Sequence, residues 1–493
     1  MKQDSQKPKA RVKLVDRSQV LLRTVNVDRL IPEDHPARSI WEVLSDLDLE
    51  GFRTGIMAVE GRAGQSPFDP KVLLSLWIYA LKDGVTSARE IAKRCGYDPA
   101  YQWLTGMKPI NYHTISDFRT EHGAALNELF VQLLGVLTHQ GLITLERVAH
   151  DGTKIRANAA GDSFRREKTL SDHLESAQDY IDELETQGDE IDLRKARARE
   201  RAAKQRKERI ERAIEEIEKM APDKTEPRAS ITDPDARIMK IGGEGFGAGY
   251  NVQISTDAQA SIIVGVGVTQ SAADSDELIA SIDRIKQNFE QLPDQMLVDG
   301  GFANKQNIVD AAGLGIDLYG PSPNKPVDMS KIPNAKQIAP EFYREHFTYD
   351  CERNAYFCPA GTELRFESQY RDGATTKLRY QARFSDCQNC ANYGRCCTGK
   401  KKGRSIIDSV DHPAVAEFID KMQTKEAKAI YRQRSQVAEF PNAWIKAKFG
   451  LRQFRLRGLV KVGVESLWAC FAYNMLQYVR WLRKPSMVGV AAC

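Results

Sequence analysis

The stretch Tyr431–Lys446 reads YRQRSQVAEFPNAWIK, and the fold assigned to the chain turns on what its single acid, Glu439, is for. Tyr431, Arg432 and Arg434 precede that acid, and Lys446 follows it by seven residues. Helical periodicity puts residues seven apart on nearly one face, so Arg432, Glu439 and Lys446 form a stripe. Pro441 removes a backbone donor and crowds the preceding turn unless it falls near a helix start, so the stripe is expected to cross a kink. Alone, the pattern describes a solvated helix face with charge pairs. It becomes a site only if the rest of the chain supplies acids for Glu439 to join.

Working outward, 493 residues that are 42% hydrophobic and 28% charged suit a soluble protein with several structural units. The formal net charge of +4 is small for this length, so local charge runs say more about polyanionic partners than the total does. No run approaches the roughly eighteen apolar residues of a membrane span, and MKQDSQKPKARVK lacks the apolar core of a secretory signal, so the expected location is the cytoplasm. Nine cysteines in that reducing compartment suggest metal rather than disulfides where they cluster.

From Arg38 to His122 the pattern is helical. Asp69-Pro70 starts a helix through the apolar run VLLSLWIYAL (Val72 to Leu81), and Gly84 ends it. Ser87 with Glu90, and Thr114 with Asp117, read as capping boxes for two more helices. Helix, Gly-containing turn, helix suits a helix-turn-helix DNA reader and equally a small helical bundle.

Leu142 to Ala149 (LITLERVA) is a strand pattern leading into His150-Asp151-Gly152-Thr153, with Asp151 at or just past the strand end. Glu167 to Met220 is a charged helical hairpin with a turn at Gly188. Its second arm carries ten basic residues between Arg194 and Arg212 against three acids, which suits a solvated coiled-coil face or phosphate contacts. Strands are expected at Tyr250 to Thr256 and Ser261 to Thr269, then a helix (Asp274 to Asn288), a strand (Gln295 to Val298), a helix (Asn304 to Ala312) and a strand (Gly315 to Tyr319). GGEGFGAG, ahead of Tyr250, does not fit nucleotide-loop spacing. The order predicts an α/β fold with a mixed sheet covered by helices. Asp299, in LVDGGFAN, follows the fourth strand as Asp151 follows the first. Two carboxylates at neighbouring strand ends raise each other's pKa unless a cation relieves them, and oxygen ligands favour Mg²⁺ or Mn²⁺. Glu439 is the candidate third acid of a two-metal site.

These residues resemble the bacterial insertion-sequence transposases of the DDE type, in the branch whose last acid lies in a Tyr-Arg-Glu-Lys signature. Tyr431, Arg434, Glu439 and Lys446 match that signature, Asp151 in HDGTKIRAN the first acid, and Asp299 in VDGGFAN the second. GYNVQISTD (Gly249 to Asp257) is similar to the family's second strand, and SLWIYALKDGVTSAREIAKRC with WLTGMKPINYHTISDFRTEH to its N-terminal transposase domain. One departure is Asn442-Ala443 after the proline, where members often carry Phe-Gly. The resemblance implies a ribonuclease-H-like catalytic fold with Asp151, Asp299 and Glu439 as catalytic, Mg²⁺-binding acids. It divides the chain into an N-terminal helical DNA-binding domain (1–140), a first part of the catalytic core (141–320, with the helical-hairpin insertion 163–222), a cysteine-rich zinc-ribbon-like insertion (321–410) and C-terminal helices carrying the last acid (411–493). It further implies metal-dependent phosphodiester hydrolysis at the element's ends and transfer of the 3′ hydroxyl into target DNA, by a homodimer on paired terminal inverted repeats.

By the same resemblance Tyr431, Arg434 and Lys446 contact DNA near the cleavage site. The acid-free interval Phe440 to Val464 adds Lys448, Arg452, Arg455 and Arg457 among Trp444, Phe449 and Phe454, suiting phosphate contact and base stacking or, for the rings, core packing. A thiolate zinc site is readable from Cys358, Cys387, Cys390 and one of Cys396 or Cys397, with Cys351 an alternative to Cys358; reduced thiols without metal are the other reading. Cys95, Cys470 and Cys493 are buried or incidental, and Val464 to Leu482 is an aromatic-rich helix packed on the sheet. A non-catalytic zinc-containing DNA-binding protein on a transposase scaffold is the alternative function.

Overall fold

The computed structural model describes residues 18, 20, 22, 24–54, 56, 58, 66–186, 193–220, 226–323 and 338–483. The expected turn at Gly188, the side chain of Arg194 and Cys493 lie outside the described residues. The fold is mixed α/β, with a helical N-terminal region.

That region holds α1 (Pro36–Ser45), α2 (Pro70–Lys82), α3 (Ala88–Arg94), α4 (Pro99–Thr105), α5 (Tyr112–Glu121) and α6 (Gly123–His139). Asp69 caps α2, accepting from the Lys71 backbone N–H at 2.8 Å, and Pro70 occupies the first turn. The apolar run of α2 is buried on all sides, and Trp77 donates its indole N–H to the Ile115 carbonyl at 3.0 Å. Both expected capping boxes are corrected. Ser87 precedes α3 but makes no side-chain cap bond, and α5 starts two residues before Thr114, capped by Asn111, whose side chain accepts from His113 at 2.9 Å.

The main sheet contains β1 (Arg147–Arg156), then, beyond the short pair β2 (Phe164–Arg165) and β3 (Ala229–Ser230), β4 (Arg237–Ile241), β5 (Gly245–Asp257), β6 (Ile262–Thr269), β7 (Gln295–Leu297) and β8 (Asp317–Tyr319). Across it the order is β6-β5-β1-β7-β8, with β4 on the same edge of β5 as β6 but further along. β5 runs antiparallel to both of its neighbours, β1 and β6, whereas β7 and β8 run parallel to β1. Between β2 and β3 the chain makes α7 (Glu167–Thr186) and α8 (Leu193–Lys219), packed through Leu170, Ala177, Ile210, Ala213 and Ile217. α9 (Leu278–Phe289) and α10 (Lys305–Gly313) follow β6 and β7.

A second sheet, all antiparallel, is ordered β13-β12-β11-β10-β9 from β9 (Thr348–Asp350), β10 (Ala355–Phe357), β11 (Glu363–Asp372), β12 (Thr375–Gln381) and β13 (Ser405–Asp411), with α11 (Phe384–Gln388) before β13. The chain ends in α12 (Pro413–Gln423), α13 (Lys425–Tyr431), α14 (Phe440–Ala447) and α15 (Leu459–Leu482). One apolar core runs from the N-terminal helices through the main sheet to α15.

Two corrections concern strands. β1 begins five residues later than expected and carries Asp151 in its interior. The strand expected from Tyr250 begins five residues earlier, at Gly245, and is preceded by β4, which the sequence reading lacked; the glycine run turns β4 into β5 and supplies the start of β5. An Asp-Gly pair is a turn signal, but at Gly152 the glycine answers close packing within the sheet, as shown below.

α15 also seals an edge. Buried Asn474 accepts from the Ile263 N–H at 2.9 Å and donates to the Ile263 carbonyl at 2.7 Å, satisfying the open side of β6. Asn474→Leu should therefore destabilise the fold by about 2–4 kcal/mol, read from the urea unfolding midpoint, because two buried backbone groups lose their partner.

α8 is clamped to the sheet by Glu216, which burial alone would push up but which Lys219, Arg237 and Gln270 together hold at a pKa of about 2. A carboxyl held below its unfolded value stabilises above that value and loses the contribution as pH falls through the folded one. The loss, up to about 3 kcal/mol, should fall between pH 4.5 and 2. Melting curves across that range should be flatter in Glu216→Gln, and an unchanged acid limb would show that the clamp contributes nothing.

Candidate functional site

Asp151 and Asp299 come together because of the register of two parallel strands. Ala149 lies beside Leu297, and each acid stands two residues further along its own strand direction. The Arg434 guanidinium reaches both, donating from Nη2 to Asp151 Oδ1 at 3.0 Å and lying 3.8 Å from Asp299 Oδ2. Asn442 donates to Asp151 Oδ2 at 3.2 Å. Burial holds the Asp151 carboxyl above the usual range, and the Asp299 charge adds to this against the opposing pull of Arg434. Tyr431 is half-buried and its phenol is likewise pushed up by burial, with Arg434 opposing and both carboxylates adding.

α14 brings the remaining signature residues. Lys446 donates to the Lys154 carbonyl at 3.3 Å, and burial lowers its pKa while Asp151 pulls it back up. Between α13 and α14 residues Ser435–Glu439 form a π-helical stretch, and Pro441 falls in the first turn of α14. The expected kink at the proline is thus a π stretch immediately before it. Glu439 ends that stretch, exposed, with no hydrogen bond or ion pair among the described residues. Arg432 is exposed as well, so the expected Arg432-Glu439-Lys446 stripe does not face the acids as a unit.

A further carboxylate, absent from the sequence reading, approaches from the loop after β6. Asp274 accepts from Lys154 Nζ at 2.6 Å, from Asn251 at 2.7 Å and from Gln253 at 3.2 Å. Burial would raise its pKa, yet these donors hold it below the ordinary value. Two glycines make its room. A Cβ on Gly152 would meet Asp274 Oδ1 at 2.5 Å, and one on Gly301 would meet Asp299 Oδ1 at 3.0 Å and the Asp274 Cβ at 3.5 Å.

Below lies a directed chain of hydrogen bonds. Gln253 donates its amide to Asp274, so its Oε1 must accept, and the ring nitrogen 2.9 Å away, His150 Nε2, carries the proton. Nδ1 then accepts from Ser255 Oγ at 2.9 Å. His150 is fully buried, which drives its pKa down to about 4 and keeps this tautomer neutral.

Of the expected DNA contacts, Lys448, Arg452, Arg455 and Arg457 are exposed. Arg455 donates to Thr86 at 3.4 Å and Arg457 to the Asn158 carbonyl at 3.0 Å, so the row runs along the junction of the sheet and the N-terminal helices. Cys358, Cys387, Cys390, Cys396 and Cys397 line one small cavity of 20 Å³ beside the second sheet, whereas Cys351 is exposed and apart from it. Backbone N–H groups of Thr362 and Arg404 donate to Cys358 and Cys387 at 3.3 and 3.2 Å, and burial pushes the Cys396 thiol up to about 11. Cys95 and Cys470 are buried.

Among the described residues no three His, Cys, Asp or Glu side chains are disposed to hold a metal ion, at the acids or at the cysteines. At the acids the reason is visible: Arg434 stands between Asp151 and Asp299, and Glu439 points to solvent. A divalent ion does not fit this arrangement as it stands. No helix among the described residues is long and apolar enough to cross a membrane.

Residues 357–479 match the family model described as Transposase DDE domain, and residues 25–121 match Transposase domain (DUF772). These matches support an insertion-sequence DDE transposase. The first includes Arg434, Glu439 and Lys446, while Asp151 and Asp299 lie ahead of it. Together the matches indicate DNA transposase function. No curated protein matches the transposase chain. Among solved structures it is similar to a piggyBac transposase synaptic complex with hairpin DNA, at 9% identity over 94% of this chain and 84% of that one, with a TM-score of 0.25, too low to equate the folds.

The tight fit at Gly152 is directly testable. Gly152→Ala should cost about 1–3 kcal/mol in urea unfolding, since the new Cβ must displace Asp274 or the strand. Gly161→Ala, where nothing lies within 4 Å, should cost far less.

Proposed function

We propose that the transposase hydrolyses the phosphodiester at each end of its element and joins the freed 3′ hydroxyl to target DNA, with Asp151, Asp299 and Glu439 as the acids of the reaction. The observation that carries this is the meeting of Asp151 and Asp299 at one guanidinium, from strands 148 residues apart in sequence, next to the Tyr-Arg-Glu-Lys helix. The order β6-β5-β1-β7-β8, antiparallel on one side of β1 and parallel on the other, supports a ribonuclease-H-like core. Water is the nucleophile of the first step, its oxygen replacing the departing 3′ oxygen at phosphorus to leave a 3′ hydroxyl and a 5′ phosphate; that hydroxyl is the nucleophile of the second, forming one phosphodiester bond as one in the target breaks, and in each step the nucleophile's proton is balanced by protonation of the departing oxygen.

In this reading Arg434 and Lys446 offer positive charge to phosphate oxygens beside the acids, and Asn442 holds the Asp151 carboxylate in place. The exposed Lys448, Arg452, Arg455 and Arg457 track the backbone of the bound DNA. Mg²⁺ or Mn²⁺ would suit the oxygen chemistry of the three acids once Arg434 moves from between Asp151 and Asp299 and Glu439 turns inward, and zinc would suit Cys358, Cys387, Cys390 and Cys396 once their thiols converge. A homodimer acting on paired ends belongs to the same proposal.

Purified protein incubated with labelled element ends and Mg²⁺ should nick them at the terminus. Asp151→Asn, Asp299→Asn and Glu439→Gln should each lower nicking by about a hundredfold or more while sparing DNA binding. Undiminished nicking in all three variants would end the assignment, and binding without nicking by the unaltered chain would favour a non-catalytic DNA-binding protein.

A further inference from the structure

β4 and β5 extend past the end of β1 as a two-stranded arm. Arg156, the last residue of β1, pairs with Gly249, so Gly245 to Ala248 pair with β4 alone. The arm turns through Gly243, at φ +76°, and Gly245, at φ +85°, conformations that glycine adopts freely. Along β4 the side chains alternate: Met239 and Ile241 are buried, while Ile238 and Lys240 face out. Phe246 stands directly across from Lys240, and its ring is 78% exposed.

This outward face walls a groove of 540 Å³ whose floor is Gly152, Thr153 and Lys154, the residues that follow Asp151, and whose far side is Lys446. Three lysines and no carboxylate line it. The nearest acids are engaged, Asp274 by Lys154 and Glu244 by Arg156 at 2.8 Å. Lys240 has no ionic or hydrogen-bonding partner among the described residues. A bare aromatic ring beside Lys240 and Lys446, neither in an ion pair among the described residues, on a groove floored by the residues that follow Asp151, is complementary to a nucleotide chain, which offers stackable bases on a run of phosphates.

We infer that this groove holds a single DNA strand leading away from the scissile phosphate, with its phosphates on Lys240 and Lys446 and a base stacked on Phe246. The inference rests on the DNA-cleaving reading above and adds to it a subsite on the β4–β5 arm. A duplex would present its bases edge-on inside the stack, leaving Phe246 no face to meet, so the groove discriminates in favour of an unpaired strand.

The test uses the full chain, a fluorescein-labelled single-stranded oligonucleotide carrying an internal 2-aminopurine, and a blunt duplex of the same sequence. Phe246→Ala should weaken single-strand binding about tenfold and abolish the 2-aminopurine quenching, with little change on the duplex. Lys240→Ala should reduce the slope of log affinity against log salt by about one, and Lys240→Arg should restore it. Both positions are exposed, so melting temperatures should stay at the wild-type value. If the unaltered chain binds DNA but neither variant changes strand affinity, salt slope or quenching, the subsite is refuted while the transposase reading stands. Equal losses on strand and duplex refute the single-strand assignment, and a wild-type chain that binds neither probe overturns the underlying reading as well.

Discussion

Two carboxylates held side by side on neighbouring parallel strands repel each other, and the structure around β1 is arranged to relieve that repulsion. Asp151 is the more buried of the pair, so its charge is the harder to sustain. One guanidinium spans both acids, an amide from α14 satisfies the second Asp151 oxygen, and Lys446 adds positive charge nearby. Removing Arg434 would leave two buried or half-buried charges facing each other in a medium where such pairs interact strongly. The C-terminal helices are therefore electrostatically required by the strands, although nearly 300 residues separate them in sequence.

The same logic extends to the opposite face of β1. Asp274 brings a third negative charge close to the pair, and it is tolerated because Lys154, Asn251 and Gln253 all donate to it. His150 and Ser255 continue that network into the core, where each donor has one acceptor and the direction of every hydrogen bond is fixed by the carboxylate at its end. A buried polar chain of this kind is stabilising only when complete. The three donations to Asp274 depend on Gly152, because glycine is the residue type on β1 that leaves space for that carboxylate.

Some of this was legible in the sequence because the signals are local. Asp151 and Asp299 each stand beside a strand-like run, Asp69-Pro70 is a helix start in any context, and the Tyr431–Lys446 signature is contiguous. What escaped is set by contacts between distant segments. Asp274 reads as the first residue of a helix, which in fact starts at Leu278, until β1, β5 and the Asp299 turn surround it. Gly152 looks like half of an Asp-Gly turn until its missing side chain is seen to accommodate Asp274. β4 and the first residues of β5 went unread because the glycines of GGEGFGAG hide the alternation, which is carried by Met239, Ile241, Lys240 and Phe246. Glu439 was legible as a signature acid, but its exposure depends on the helix register before α14.

That register explains why the departure from the family pattern at Asn442 is not a defect. Arg434 and Asn442 both bond to Asp151, yet they are eight residues apart, which in an unbroken α-helix turns their directions about 80° away from each other. The π-helical stretch Ser435–Glu439 takes up one extra residue, so the pair behaves as if seven apart and diverges by only about 20°. Pro441 favours such a stretch, because it donates no N–H to the preceding turn and its ring crowds that turn's carbonyl. Glu439 then lies three residues before Asn442, about 60° round the helix from the side chain that touches Asp151. The proline, the π stretch and the asparagine are thus one device: together they aim a guanidinium and an amide at the same carboxylate and leave the signature acid at the rim of the site they enclose.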